Sequence, residues 1–209
     1  LLSILLLRVD IFASEKAGTK SMEFLNIGMG ARAVAMGEAY TAVNDDVSAL
    51  LWNPSGLVDA QNEQIGFTYN KYLEDINQGF IGFVGPRYRD GRFSYLLSYL
   101  SNATNDGYDR FGNPTGNFST YSMFYGINYA YDLGVLNLGT TFKFLEEKLY
   151  DKKYTGQAVD FGAQYALTRN VNLGASVLNI SNGVKYEVVT EDIPLIKRSS
   201  IHTLAIIMK

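Results

Sequence analysis

The chain has no cysteine, which excludes a disulfide framework, a thiolate metal site and a cysteine nucleophile. A single histidine, His202, is too few for a His-built metal centre. No nucleophile elbow accompanies it, so it reads as a rim or lumen residue and not as part of a catalytic triad. An excess of either charge is also missing. With 18 basic and 21 acidic residues the formal net charge is -3, which offers no electrostatic footprint for a phosphate backbone and speaks against nucleic acid as a partner. Outside the first few residues no apolar run approaches the roughly 20 residues of a spanning helix. Any membrane association must therefore use strands.

What is present is aromatic and glycine-rich. The 209 residues include 15 Tyr, 12 Phe and 20 Gly against 1 Trp and 4 Pro, and 47% are hydrophobic, enough for one folded unit. Tyr and Phe favour strands, and Tyr suits boundaries where one end is wet. The run Leu1 to Leu7, followed by Ile11-Phe12-Ala13-Ser14, reads as the rear of a secretory signal peptide occupying residues 1–14. Residues 15–62 are rich in Gly, Ala and Met and do not alternate. Leu25, Ile27, Met29, Ala33, Met36 and Ala39 are spaced as for short helical turns, and Asn44-Asp45-Asp46 offers an N-cap for Val47 to Trp52, a turn that Asn53-Pro54 ends.

From residue 63 to residue 209 the pattern changes to period two. Strands are expected at about 63–72, 78–87, 91–101, 119–131, 135–147, 155–167, 171–181 and 198–208. In the fourth, Tyr121, Met123, Tyr125, Ile127, Tyr129 and Tyr131 share one face, and Ser122, Phe124, Gly126, Asn128 and Ala130 share the other. The fifth sets Phe142 and Phe144 against Asn137, Gly139, Thr141 and Lys143, and the sixth sets Val159, Phe161 and Tyr165 against Asp160, Gly162 and Gln164. One face is large and greasy; the other is small or polar and carries few charges. Charges collect instead between strands, near residues 87–92, 106–110, 146–153 and 187–198. Short connections at Arg89-Asp90-Gly91, Asp132-Leu133-Gly134 and Thr168-Arg169-Asn170 alternate with longer ones at 102–118, 147–154 and 182–197, which is the layout of an outer-membrane barrel.

Two stretches carry a resemblance. They are Phe24-Leu25-Asn26-Ile27-Gly28-Met29-Gly30-Ala31-Arg32-Ala33-Val34-Ala35-Met36-Gly37-Glu38-Ala39-Tyr40, and Asn44-Asp45-Asp46-Val47-Ser48-Ala49-Leu50 with Trp52-Asn53-Pro54-Ser55-Gly56-Leu57. Together they resemble the opening of the PorV/PorQ family, which is related to the FadL-type outer-membrane transporters. Ala158 to Ala163, Leu173 to Ile180 and Ile193-Pro194-Leu195 resemble later strands and a loop of that family. The resemblance implies an all-β fold, an antiparallel transmembrane β-barrel with an N-terminal helical and loop plug folded into its lumen. The chain departs from the family's pattern in reading Asn-Pro-Ser where Asn-Pro-Ala is usual. It also shows about eight strands, and a barrel of that size is filled by its own side chains, leaving no room for a plug. The sequence therefore reads as the N-terminal part of a larger barrel.

On this reading Gly28, Gly30, Arg32, Met36, Gly37, Asp45, Asp46, Asn53 and Pro54 form a structural plug motif. The glycines lack the strand and spacing of a dinucleotide fingerprint and serve close packing. Arg32 is expected to pair with Asp45 or Asp46. That acidic pair is expected to cap a helix, since no calcium-loop pattern surrounds it. Tyr121, Tyr125, Ile127, Tyr129, Phe142 and Phe161 are expected to face lipid, and Asn128, Lys143 and Asp160 the lumen. No catalytic, cofactor-binding or metal-binding residue is expected. The expected role is transport of small hydrophobic molecules across the bacterial outer membrane, with lipid and a hydrophobic solute as partners. Two alternatives stand beside it: a cargo-binding or shuttle protein of a type IX secretion system, and a soluble secreted β-sandwich with an aromatic ligand face.

Overall fold

The computed structural model describes residues 22–102, 104–150, 152–168 and 170–181, together with the backbone of 184–186 and 207–208. The expected leader, the Ile193-Pro194-Leu195 loop and His202 lie outside the described residues. Strands β1 (Gln64–Lys71), β2 (Asn77–Tyr88), β3 (Gly91–Ser101), β4 (Asn105–Tyr108), β5 (Pro114–Phe118), β6 (Tyr121–Asp132), β7 (Leu136–Leu149), β8 (Lys152–Thr168), β9 (Val171–Ile180), β10 (Val184–Tyr186) and β11 (Ile207–Met208) follow in chain order. Seven long strands form one antiparallel sheet in the order β1-β2-β3-β6-β7-β8-β9, extended at its end by β11. Its shape is a curled half-barrel; among the described residues a closed barrel is not seen.

Seven of the eight expected strands lie within a few residues of their expected bounds, because period two sustained over ten or more residues with one apolar face has no competing helical reading. The eighth, 198–208, is described only at Ile207–Met208, where it pairs with Val171 and Asn172 of β9. Three features depart from expectation. The supposed loop at 102–118 holds a separate hairpin, β4–β5, of polar, glycine-bearing strands. The charged stretch 146–153 is not a long loop: β7 and β8 run on through it, with Lys148 opposite Lys153 and Leu149 opposite Lys152. Charges there mark strand ends outside the apolar band and not the end of the ladder. Finally, β10 pairs with β8 at Tyr154–Gly156, so it prolongs β9 along the same neighbour.

Residues 22–62 pack against the concave face. They contain only short elements: 3-10 turns at Glu23–Asn26 and Val47–Leu51, and helix α1 (Ala31–Ala35). Five residues cannot sustain a helix on their own hydrogen bonds, so this segment owes its shape to what it packs on. The buried core lies between the two layers, with Phe24, Met29, Tyr40, Leu50, Trp52 and Leu57 from the segment meeting Phe80, Val84, Leu96, Phe124 and Leu145 from the sheet.

Candidate functional site

Alternation along the strands gives the sheet two chemically opposite faces. Outward stand Tyr125 (47% exposed), Ile127, Tyr129, Phe142 and Phe161 (53%), joined by Ile81, Phe83, Phe93 and Tyr95 of the neighbouring strands. Tyr121 shares this face but is half-buried, its hydroxyl donating to Glu146 Oε1 at 2.6 Å. Inward, and buried, stand Gln78, Arg92, Ser94, Ser98, Asn128, Thr141, Lys143, Asp160, Gln164 and Ser176. They alternate there with the apolar core residues, so it is the outward face that departs from the polar exterior of a soluble sheet.

Four of the inward polar residues are spent on the backbone of residues 22–62. Asn128 Nδ2 donates to the Pro54 carbonyl at 2.9 Å. Gln164 Nε2 donates to the carbonyls of Thr41 and Val43, each at 3.1 Å, and Ser176 Oγ donates to that of Trp52 at 2.8 Å. Arg92 reaches the carbonyls of Leu57 and Asn62. In the reverse direction Asn53, fully buried, donates from Nδ2 to Thr41 at 2.8 Å and to the wall carbonyl of Ala163 at 3.1 Å. Its Oδ1 accepts from the Ser55 backbone and hydroxyl, so Asn53 bridges segment and wall while closing its own turn ahead of Pro54. Glycine makes this approach possible at several wall positions, Gly139 and Gly162 among them. A methyl group on Gly139 would overlap the Pro54–Ser55 backbone, and one on Gly162 would overlap the Asn53 side chain.

The segment is also fastened at both ends. Near the long connections the Met22 N–H donates to Glu147, which also accepts from Ser122 Oγ. Near the short turns Asp59 accepts from Asn137 Nδ2 at 2.5 Å and meets Arg87, which pairs with Asp132 at 2.6 Å. Within the segment Arg32 pairs with Asp45 at 2.5 Å and with Asp46 at 3.2 Å. Asp46 accepts from the Ser48 N–H at 2.7 Å, capping the Val47–Leu51 turn, and also from the Tyr40 hydroxyl. Burial, and then that bond to a carboxylate, push the Tyr40 phenol well above its usual range; the bond to Asp45 raises Arg32 likewise.

The remaining plug-motif residues have local roles. Gly30 precedes α1 with a φ of 92°, Gly37 follows it with a φ of 62°, and both lie in backbone regions other residues rarely adopt. A side chain on Gly28 would meet the Glu38 carboxylate. Met36 caps the C-terminal end of α1 and is exposed.

Deepest in the concave face lies an ion pair, Lys143 Nζ to Asp160 Oδ2 at 2.7 Å, with both side chains almost wholly buried. Lys143 also donates to Asn179 Oδ1 at 3.0 Å and sits over the Phe124 ring, while Asp160 Oδ1 accepts from the Asn179 N–H at 2.7 Å. Asn179 has a φ of 59° and belongs to a bulge, two residues of β9 opposing one of β8 between the Val159–Ile180 and Phe161–Val177 pairs. The pair thus clips the bulge to β7. Beside it a small hollow of about 40 Å³ lies between the segment and the wall, bordered by Phe24, Met29, Trp52, Phe124, Lys143 and Leu178. Among the described residues no group of three or more His, Asp or Glu side chains converges as a metal site.

Gln164 was legible on the polar face of its strand but without a role, and Arg92 and Glu147 read as charges between strands. Asn179 and Ser176 had no signal beyond that of a polar residue in a strand. No family model matches the chain, and no curated protein matches it significantly.

Proposed function

We propose that the chain forms part of the wall, and the N-terminal lumen segment, of an outer-membrane β-barrel of the PorV/PorQ and FadL type that passes small hydrophobic molecules. The observation that carries this reading is the outward face of the sheet. It is a continuous field of exposed Tyr, Phe and Ile, far beyond the scattered apolar residues of a soluble surface, while the inward face interleaves apolar core residues with polar groups, several of them hydrogen-bonded to the segment. A sandwich would bury the aromatic face between two sheets. Lipid would cover this one. The hollow beside Lys143 lies between segment and wall, and its small size means that passage of a solute there requires the segment to move.

The test is sodium carbonate extraction of membranes from cells making the protein, with Tyr125→Arg as the perturbation. The wild type is expected to stay in the pellet. Arg near the bilayer midplane is expected to cost about 2–4 kcal/mol in lipid and far less in a detergent micelle that can deform around it. Release of the wild type by carbonate, or equal loss in lipid and detergent, would end this reading. A second role, holding secreted protein cargo for type IX secretion, is favoured by one feature. The β4–β5 hairpin stands at the long-connection end with Tyr108 and Phe111 exposed at its tip. Deleting residues 105–118 separates the two, since only cargo binding should suffer.

A further inference from the structure

A groove of about 700 Å³ crosses the convex face where β9 parts from β8. Tyr125, Phe142, Phe161 and Ile180 line it at mid-wall, and Glu146, Thr155 and Gln157 line it toward the long connections, where Lys148 and Lys153 follow next along the two strands. The β7–β8 register sets the order of outward residues: Phe142 faces Val159, Phe144 faces Gln157, Glu146 faces Thr155 and Lys148 faces Lys153. Over six residues, about 20 Å of strand, the surface passes from apolar through polar to cationic. The apolar end is stiffened by ring contacts, with Tyr125 stacked on Phe144 at 5.0 Å and Phe142 edge-on to Phe144 at 4.8 Å.

At the cationic end one lysine lacks a counter-ion. Two like charges directly opposite on one face disfavour each other. Lys153 is paired with Glu146 at 2.9 Å, a carboxylate that also accepts from Tyr121; Lys148 has no ion-pair partner among the described residues. An anion placed between the two lysines would relieve the repulsion. A tail extending from that anion would run down the groove onto Phe142 and Phe161.

We propose that this groove holds one acyl chain of an anionic lipid, with the headgroup phosphate between Lys148 and Lys153. The proposal rests on the membrane reading above, because only a wall standing in lipid presents the groove to a bilayer lipid. A zwitterionic lipid has the same tail and phosphate, but its own cation offsets the charge the lysines recognise. The site therefore selects by headgroup and not by chain.

The test uses the full chain, extracted in a mild detergent and supplied with equal amounts of phosphatidylglycerol and phosphatidylcholine of identical chains. Retained lipid is counted by native mass spectrometry. One phosphatidylglycerol per chain is expected to be kept in preference to phosphatidylcholine, and each of Lys148→Gln and Lys153→Gln is expected to lower the preference about fivefold. Phe161→Ala should weaken retention of both lipids equally. Wild type with no headgroup preference, an unchanged preference in the double Lys variant, or full displacement by inorganic phosphate would each overturn the proposal. Carbonate extraction in parallel keeps the two readings apart. A chain that stays in the membrane without selecting a lipid refutes the groove alone, and one that leaves the membrane refutes both.

Discussion

Lys143 and Asp160 lie where a charge is costly, and each holds the other in place. Removing one partner leaves the other charged and dry, so Lys143→Met alone should destabilise the folded protein by about 3–5 kcal/mol. Replacing both tests the idea more sharply. In Lys143→Met with Asp160→Asn no charge remains, and the new amide oxygen can still accept from the Asn179 N–H, so most of that loss should be recovered. Urea unfolding in detergent micelles measures it, and a double variant no more stable than the single one would mean that the clip on the bulge matters more than the charges. The wider pattern at this scale is that the wall recognises backbone. Asn128, Gln164 and Ser176 all donate to carbonyls of the segment, so these hydrogen bonds depend on the identity of the wall residue and not on the side chain of the segment residue that accepts.

The β-strand elements were legible in the sequence because the long ones sustain one contrast, large apolar residues against small or polar ones, over eight residues or more. The β4–β5 hairpin was not legible: its strands, Asn105–Tyr108 and Pro114–Phe118, are short and polar, each contains a glycine, and neither offers an apolar period. It is held by its turn. The Asp109 carboxylate accepts from the Asn113 side chain and backbone and from the Phe111 N–H, and these bonds hold its pKa below the usual carboxylate range. A lowered folded pKa stabilises the turn fully above the ordinary Asp value of about 4, and the contribution fades as pH falls through the lowered one. The Asn113 amide resonance should therefore be constant from pH 8 to 5 and move only in stronger acid, and Asp109→Asn should abolish that movement. The N-terminal segment was legible as a motif but not as a shape, because its turns are fixed by the wall and not by their own periodicity. Gly162→Leu would place a side chain where Asn53 sits. The expected result is a protein whose wall still resists protease while the buried Tyr40 and Leu50 become cleavable by chymotrypsin; cleavage spread through the strands would show that wall and segment fold as one unit.

For the whole molecule, strand direction constrains completion. Among seven alternating strands the first and last, β1 and β9, run the same way, so an antiparallel closure needs an odd number of further strands between them, of which β11 is the first. Any such closure keeps aromatic residues outside and the segment inside, and the composition supplies a means of testing it. Trp52 is the chain's one tryptophan, and it is buried on the concave side with its Nε1 donating to the Met29 carbonyl. In bilayers containing lipids brominated along their chains, a quencher that acts at short range, Trp52 should keep its emission, since the sheet stands between it and the lipid. A second protein, Trp52→Phe with Tyr125→Trp, moves the fluorophore to the outward face at mid-strand and should be strongly quenched. The pair reads polarity directly. Quenching of Trp52 with sparing of the residue 125 tryptophan would place lipid on the concave side and reverse the assignment of faces, and equal sparing of both would remove the sheet from the bilayer.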